Sequence, residues 1–198
     1  MSRKTLAVGL LTAVAAVVLL TIAIGSKTEP VRAEAAETRQ PAAAQPLDDA
    51  TIVAIFDAAN TADIETGRLA IERGQSKEVR DFGAMLARDH DVVRKQGRDL
   101  AAKLGVTPTP PADDAGARAH AAAMAKLRAV PAAEFDHAFL QHEVAFHKSV
   151  IDAVTTTLLP AIQNAEVRAL VTKVAPAFQG HMMAADNLDK RLADAKKR

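Results

Sequence analysis

The chain has 198 residues, 49% of them hydrophobic but only 3% aromatic, with no Trp, Tyr or Cys. This alanine-rich, aromatic-poor composition suits closely packed helices and argues against sheets and nucleobase-stacking surfaces; the lack of cysteine excludes disulfides, thiolate nucleophiles, zinc fingers and an acylated lipoprotein cysteine. The first 35 residues hold four basic and two acidic residues, and the remainder carries 21 basic against 22 acidic, so no basic field points to nucleic acid.

Arg3 and Lys4 precede an uncharged run of 19 residues, 6–24, interrupted only by Gly9, Thr12 and Thr21. At about 1.5 Å per residue it nearly spans the ~30 Å hydrocarbon core of a bilayer. The run is long for a cleavable signal and adequate for a single-span anchor, and a small-x-small cleavage site lies at Ala33-Glu34-Ala35. Both outcomes stay open. Both place the rest of the chain outside the cytoplasm, in the periplasm, because Arg3 and Lys4 stay inside; an uncleaved run would make residues 6–24 a membrane contact. Residues 26–46 contain three prolines and many small residues, too little apolar surface to offset ordering entropy, and are expected to be a flexible linker. The expected organisation is a signal or anchor over 1–25, a linker over 26–47 and one helical domain over 48–198.

Asp48 or Asp49 starts the first domain helix, expected over about 49–73 and stopped by Gly74. Its apolar stripe is Ile52, Phe56, Ala59, Asp63, Thr66 and Ala70, with Asp63 in the middle and Glu65 on the solvated side. The second helix starts near Ser76 and stops at Gly105; Val79, Phe82, Leu86, Asp89, Val93 and Leu100 form its stripe, with His90 at the edge. Three prolines and Gly116 interrupt residues 106–117, and a short connecting helix is expected over 112–129, with His120 on the surface and without an acidic partner at helical spacing.

Pro131 opens the third long helix, expected to end at about Thr156. At about 100° per residue, Phe139, Glu143, Phe146, His147, Val150 and Val154 fall within roughly a third of its circumference, which points Glu143 and His147 into a core. His137 is expected to be exposed and His142 to flank the stripe. The last helix, over about 164–196, centres His181 on an apolar face of Val167, Val171, Val174, Phe178, Ala185 and Leu188; Pro176 falls inside it, where a kink is expected.

Four long amphipathic helices with a long crossing connection between the second and third predict an all-α, ferritin-like four-helix bundle with a short connecting helix. In such bundles inward carboxylates and imidazoles bind metals. The candidate ligands here are Asp63, Asp89, His90, Glu143, His147 and His181, a set that suits iron, manganese, copper or zinc. The paired Glu-x-x-His motif of di-iron proteins is missing, since Glu143 and His147 stand four apart and helix two offers adjacent Asp89 and His90. No ferroxidase or oxygenase chemistry follows from this pattern, and no nucleophile motif suggests a hydrolase.

Residues 81–106 (DFGAMLARDHDVVRKQGRDLAAKLGV), 135–147 (FDHAFLQHEVAFH) and 176–188 (PAFQGHMMAADNL) resemble the bacterial exported family catalogued as domain of unknown function 4142. Residues 63–70 (DIETGRLA) are similar to its first-helix motif, in which Glu is the commoner residue at the position of Asp63. The resemblance covers about residues 48–192. It implies a ferritin-like fold, with the family's Asp-His pair, late third-helix His and fourth-helix His matching Asp89, His90, His147 and His181. Two readings of the chain remain open: an envelope protein with a carboxylate and histidine metal site, and a non-catalytic structural bundle whose buried polar residues only fix helix packing.

Overall fold

The structure, a computed structural model, describes residues 47–197. The expected signal or anchor over residues 6–24, the cleavage site at Ala33-Glu34-Ala35 and the linker over 26–46 lie outside the described residues. All regular elements within them are helical, and no described helix is long and apolar enough to cross a membrane.

Helix α1 spans Asp49–Arg73; the Asp48 carboxylate accepts from the Thr51 amide at 2.7 Å, and Gly74 closes the helix. Helix α2 spans Lys77–Leu104, with the Ser76 hydroxyl accepting from the Val79 amide and Gly105 in the left-handed region (φ 66°). Helix α3 covers Ala115–Ala129, capped by Asp114 and anchored by Met124 and Leu127. Helix α4 covers Ala132–Ala153 and α6 Ala165–Ala195; between them lie a π-helical stretch, Val154–Leu158, and the single turn α5, Leu159–Ala161.

The expected end of the third long helix at Thr156 is therefore replaced by a change of helical pitch. Pro160 has no amide to donate to the preceding turn, and the Thr155 and Thr156 hydroxyls donate to the carbonyls of Ile151 and Asp152 at 2.6–3.1 Å. Both effects loosen the regular ladder. Helix α6 continues through Pro176.

α1 packs along α2, and α4 along α6, while α3 touches both α1 and α4. Two apolar clusters result. One contains Leu69, Phe82, Leu86, Phe135, Phe139 and Leu188; the other contains Ile52, Phe56, Val154, Ile162, Val171 and Phe178. On each long helix the chain passes from one cluster to the other through buried polar residues: Asn60, Asp63 and Thr66 on α1, His90 on α2, Glu143 and His147 on α4, and His181 on α6. The polar residues thus form a layer between two dry ends.

Side chains from distant elements fasten the helix ends. Asp136, in the first turns of α4, accepts from the amides of Gln75 and Ser76 at 2.7 and 2.8 Å, where α2 begins. Asp49, at the start of α1, does the same for Gln163 and Asn164, where α6 begins, at 2.9 and 2.8 Å. The Arg73 guanidinium donates to the carbonyls of Leu127, Arg128 and Val130 and lies 5.0 Å from the centre of the Phe135 ring, closing the end of α3.

The backbones of α1 and α2 meet at Gly67 and Gly83. A Cβ on either glycine would stand 2.6 Å from the other's carbonyl oxygen, inside any real contact. Gly83→Ala is therefore expected to force the helices apart and to destabilise the domain by about 1–3 kcal/mol, read as a lower chemical-denaturation midpoint with unchanged slope; an unchanged midpoint would show that the pair tolerates separation.

Candidate metal centre

Asp63, Glu143, His147 and His90 are 0–3% exposed and His181 is 9% exposed. The five converge from four helices because each sits on the inward stripe at the same level of the molecule. The protonation of the rings follows from their partners. The Asn60 amide nitrogen donates to the Phe56 carbonyl at 2.7 Å, so its oxygen must face His90 Nδ1, 3.0 Å away. Nδ1 of His90 therefore carries the hydrogen, and it also lies 3.3 Å from an Asp63 oxygen. Its Nε2 is left with a lone pair.

His147 is held the same way: Nδ1 donates to the Glu143 carbonyl at 3.0 Å, and the buried Nε2 has no partner. His181 places Nε2 3.4 Å from an Asp89 oxygen. Its Nδ1 stands 3.1 Å from His90 Nε2, a hydrogen bond in the metal-free chain; moving the His181 hydrogen to Nε2, toward Asp89, would free both facing lone pairs for an ion. Three imidazole lone pairs then converge, and each ring's opposite nitrogen is tied to a carboxylate, an amide oxygen or a carbonyl. That is the arrangement by which proteins orient metal-ligating histidines.

The carboxyl groups add a second set of donors. Asp63 Oδ1 and both Glu143 carboxyl oxygens are buried without a hydrogen-bond partner among the ordinary donors. Burial first, and then the charge of Glu143 and a hydrogen bond with it, hold Asp63 well above the usual carboxylate range. Burial likewise pushes Glu143 up to about 7, with Thr66 and Asp63 pulling the other way. Two acceptor carboxylates face each other here, and a bond between them forms only when one carries a proton. One proton joins at most two of the four orphaned atoms, which leaves two unmatched. Burial pushes His90 down to about 3 and His147 to about 4; the neighbouring rings reinforce this in both, and the Glu143 carbonyl opposes it in His147. Burial also lowers His181, against the pull of Asp89.

Donor atoms of His90, His147 and His181 lie within 4.8 Å of one another, as do those of Asp63, Glu143 and His147. Two nitrogens bound tetrahedrally to one ion at about 2.0–2.1 Å would stand about 3.3 Å apart, close to the 3.1 Å between His90 and His181. The donor set, its neutral rings and its orphaned atoms fit a transition-metal ion. His147 Nδ1 is occupied by the Glu143 carbonyl, so its single free nitrogen is common to both triads, and they are alternative or overlapping halves of one centre.

The six expected ligands are not placed alike. Asp63, His90, Glu143, His147 and His181 meet in the interior. Asp89, expected on the inward stripe, lies at the rim with its side chain 36% exposed, paired to Arg88 and behind His181. His90, expected at the edge, is buried. The helix is rotated slightly from the expected stripe, because His90 rather than Asp89 stacks on Phe178, with ring centres 5.6 Å apart. Asn60 was not among the expected site residues; its position four after Phe56 was the available signal. His120, expected on the surface without an acidic partner at helical spacing, pairs across elements with Glu65 at 2.8 Å. His137 is exposed, as expected, and pairs with Asp189, while His142 stacks on Phe146.

An all-α protein with a buried layer of imidazoles and carboxyls is the class that fold and site define. The chain belongs to the family described as domain of unknown function (DUF4142), which matches residues 33–188. No curated protein matches the sequence. Among solved structures, it is similar in fold to the crystal structure of a DUF305 fragment from Deinococcus radiodurans, with a TM-score of 0.63, 18% identity, and coverage of 72% of this chain and 95% of that one. It is also similar to CopM in the Cu(II)-bound form, with a TM-score of 0.57, 12% identity, and coverage of 73% of this chain and 98% of that one. At these identities the likeness is one of fold.

The opposed shifts predict how metal-free protein responds to pH. His90 and His147 take up protons near 6.5 when unfolded but only near 3 and 4 when folded, so with His181 they withdraw stability as pH falls below 6.5. Glu143 loses its proton near 4.5 unfolded and about 7 folded, and Asp63 is shifted the same way, so both withdraw stability as pH rises above their unfolded values. Between 4.5 and 6.5 the histidines and the acids oppose each other; as pH rises past 6.5 the histidine contribution fades and the loss from the acids dominates. The melting temperature of chelator-treated protein is expected to be highest within about pH 4.5–6.5 and to fall on both sides, with Glu143→Gln flattening the alkaline side. A melt independent of pH between 5 and 8 would contradict the assignment.

Proposed function

We propose that the protein is an exported, ferritin-like four-helix-bundle protein that binds one transition-metal ion in its polar layer, either released to the periplasm or anchored to the inner membrane by residues 6–24. The observation that carries this reading is the convergence of ring nitrogens of His90, His147 and His181 within 4.8 Å of one another, beside buried carboxyl oxygens of Asp63 and Glu143. His90 and His147 through Nε2 and His181 through Nδ1 are the nitrogen donors. Asp63 and Glu143 supply oxygen and neutralising charge once ionised, and Asp89 orients His181 from the rim. Three imidazoles with carboxylate suit copper and zinc ahead of manganese, with iron also within range. Copper is the first ion to test, given that CopM, a protein of similar fold, has been solved in its Cu(II)-bound form.

The function supported is binding and sequestration. A bound ion would supply a positive charge that turns the two acids from proton carriers into ligands. The protein's part is to keep the three rings neutral, to hold their tautomers and to exclude bulk water. The alternative, a structural network that fixes helix register, accounts less well for the two buried polar atoms that stay unmatched even when Asp63 and Glu143 share a proton, since a network retained for packing is expected to be satisfied.

Full-length protein purified without an affinity tag and dialysed is expected to retain about one transition-metal ion per chain. His147→Ala combined with His181→Ala should abolish retention while leaving the helical circular dichroism largely intact. Asp89→Asn should weaken metal affinity about 10- to 100-fold. Elemental analysis that finds no iron, manganese, copper or zinc, together with a lower melting temperature for the double variant and no metal dependence, would replace this reading with the structural one.

A further inference from the structure

A groove of about 720 Å³ runs between α1, α4 and the connection leading into α3, walled largely by alanine, proline, Ile55, Phe146 and Val150. A smaller cavity of about 60 Å³ reaches inward to Asn60, Asp63, His90 and Phe178. Ile55, Ala59, Val150 and Ala153 line both spaces. One layer of aliphatic side chains therefore separates the outer groove from the polar layer. Ala59 and Val150 are half-buried, and Ala153 is exposed.

The charges at the margin of the groove are matched among themselves. Arg98 forms two bonds to Asp57, Arg94 pairs with Asp91, and His120 with Glu65. The inner cavity offers aliphatic and ring carbon along most of its wall. A hydrated cation entering it would shed water and gain no replacement until it met Asp63 or His90, which is strongly unfavourable. A small uncharged molecule meets no such barrier, since it has no hydration shell to give up and gains dispersion contact with the aliphatic and ring carbon of the wall. Cations have a different approach, because His181 and Asp89, with side chains 11% and 36% exposed, open the centre to solvent at the rim.

We infer that the groove and inner cavity form a second access path, which brings small uncharged molecules of the size of dioxygen or carbon monoxide to the His90 and Asp63 side of the centre, while ions arrive past Asp89 and His181. What such a molecule meets at the end of the path rests on the metal-binding reading; the path itself belongs to the metal-free chain.

Xenon, an uncharged probe of suitable size, tests the path on full-length, metal-free protein by NMR. Xenon is expected to shift the ring resonances of His90 and Phe178 in a saturable manner and to leave Asp89 unmoved. Ala59→Phe and Ala153→Leu, which fill the shared wall from its inner and outer sides, should each weaken xenon binding at least about tenfold without changing the amount of metal retained after dialysis. Ala153 is exposed, so its variant carries the test if Ala59→Phe does not fold. No saturable shift at His90 in the unsubstituted protein, or equal binding in a folded Ala153→Leu variant, would overturn the path. Xenon binding without metal retention would sink the metal reading alone, and metal retention without xenon binding would sink the path alone.

Discussion

The exclusion of water from one layer of acids and imidazoles is the constraint on which the rest of the molecule depends. Two apolar clusters lie on either side of that layer, and every long helix crosses from one to the other through it. The dry walls raise the carboxyl groups and lower the histidines, so all of them favour their neutral forms. Neutral imidazole is the ligand form, and the tautomers are set by groups that belong to the helices themselves: the Asn60 amide, the Glu143 carbonyl and the Asp89 carboxylate. The centre is thus continuous with the core, and helix packing and donor geometry are fixed by the same contacts.

Much of this was legible in the sequence because helical periodicity reports on faces. The caps at Asp48 and Ser76 and the stops at Gly74 and Gly105 fall where the residues indicate, and Asp63, Glu143, His147 and His181 stand inward as their stripes require. Periodicity is less able to rank neighbours at the edge of a stripe. Asp89 and His90 differ by about 100° around α2, and their order was settled by the Phe178 ring on another helix. Asn60, which fixes the His90 tautomer, was hidden for a related reason: Ala59 beside it fits the stripe equally well. The pairing of His120 with Glu65 joins α3 to α1 and has no local spacing to betray it. The π-helical passage after α4 depends on Pro160 and two threonines acting together, where a simple termination was expected.

Family and fold comparisons divide the remaining inference. The family match fixes what the chain belongs to, and the two structural neighbours, at 18% and 12% identity, share its helical arrangement. Backbone similarity at that level places helices but not side chains. The chemistry of the layer is therefore argued from hydrogen-bond directions and orphaned atoms in this chain, which fold similarity does not transmit.

The two aspartate fastenings give the molecule a reciprocal build. Asp49 belongs to the first hairpin and satisfies amides of the second, while Asp136 belongs to the second and satisfies amides of the first. A chain severed between α2 and α3 would yield two fragments, each lacking the carboxylate that completes one of its own helix starts. Each hairpin leans on the other, and one exchanged for an unrelated hairpin would have to bring both a carboxylate for the remaining helix start and amides for the remaining carboxylate.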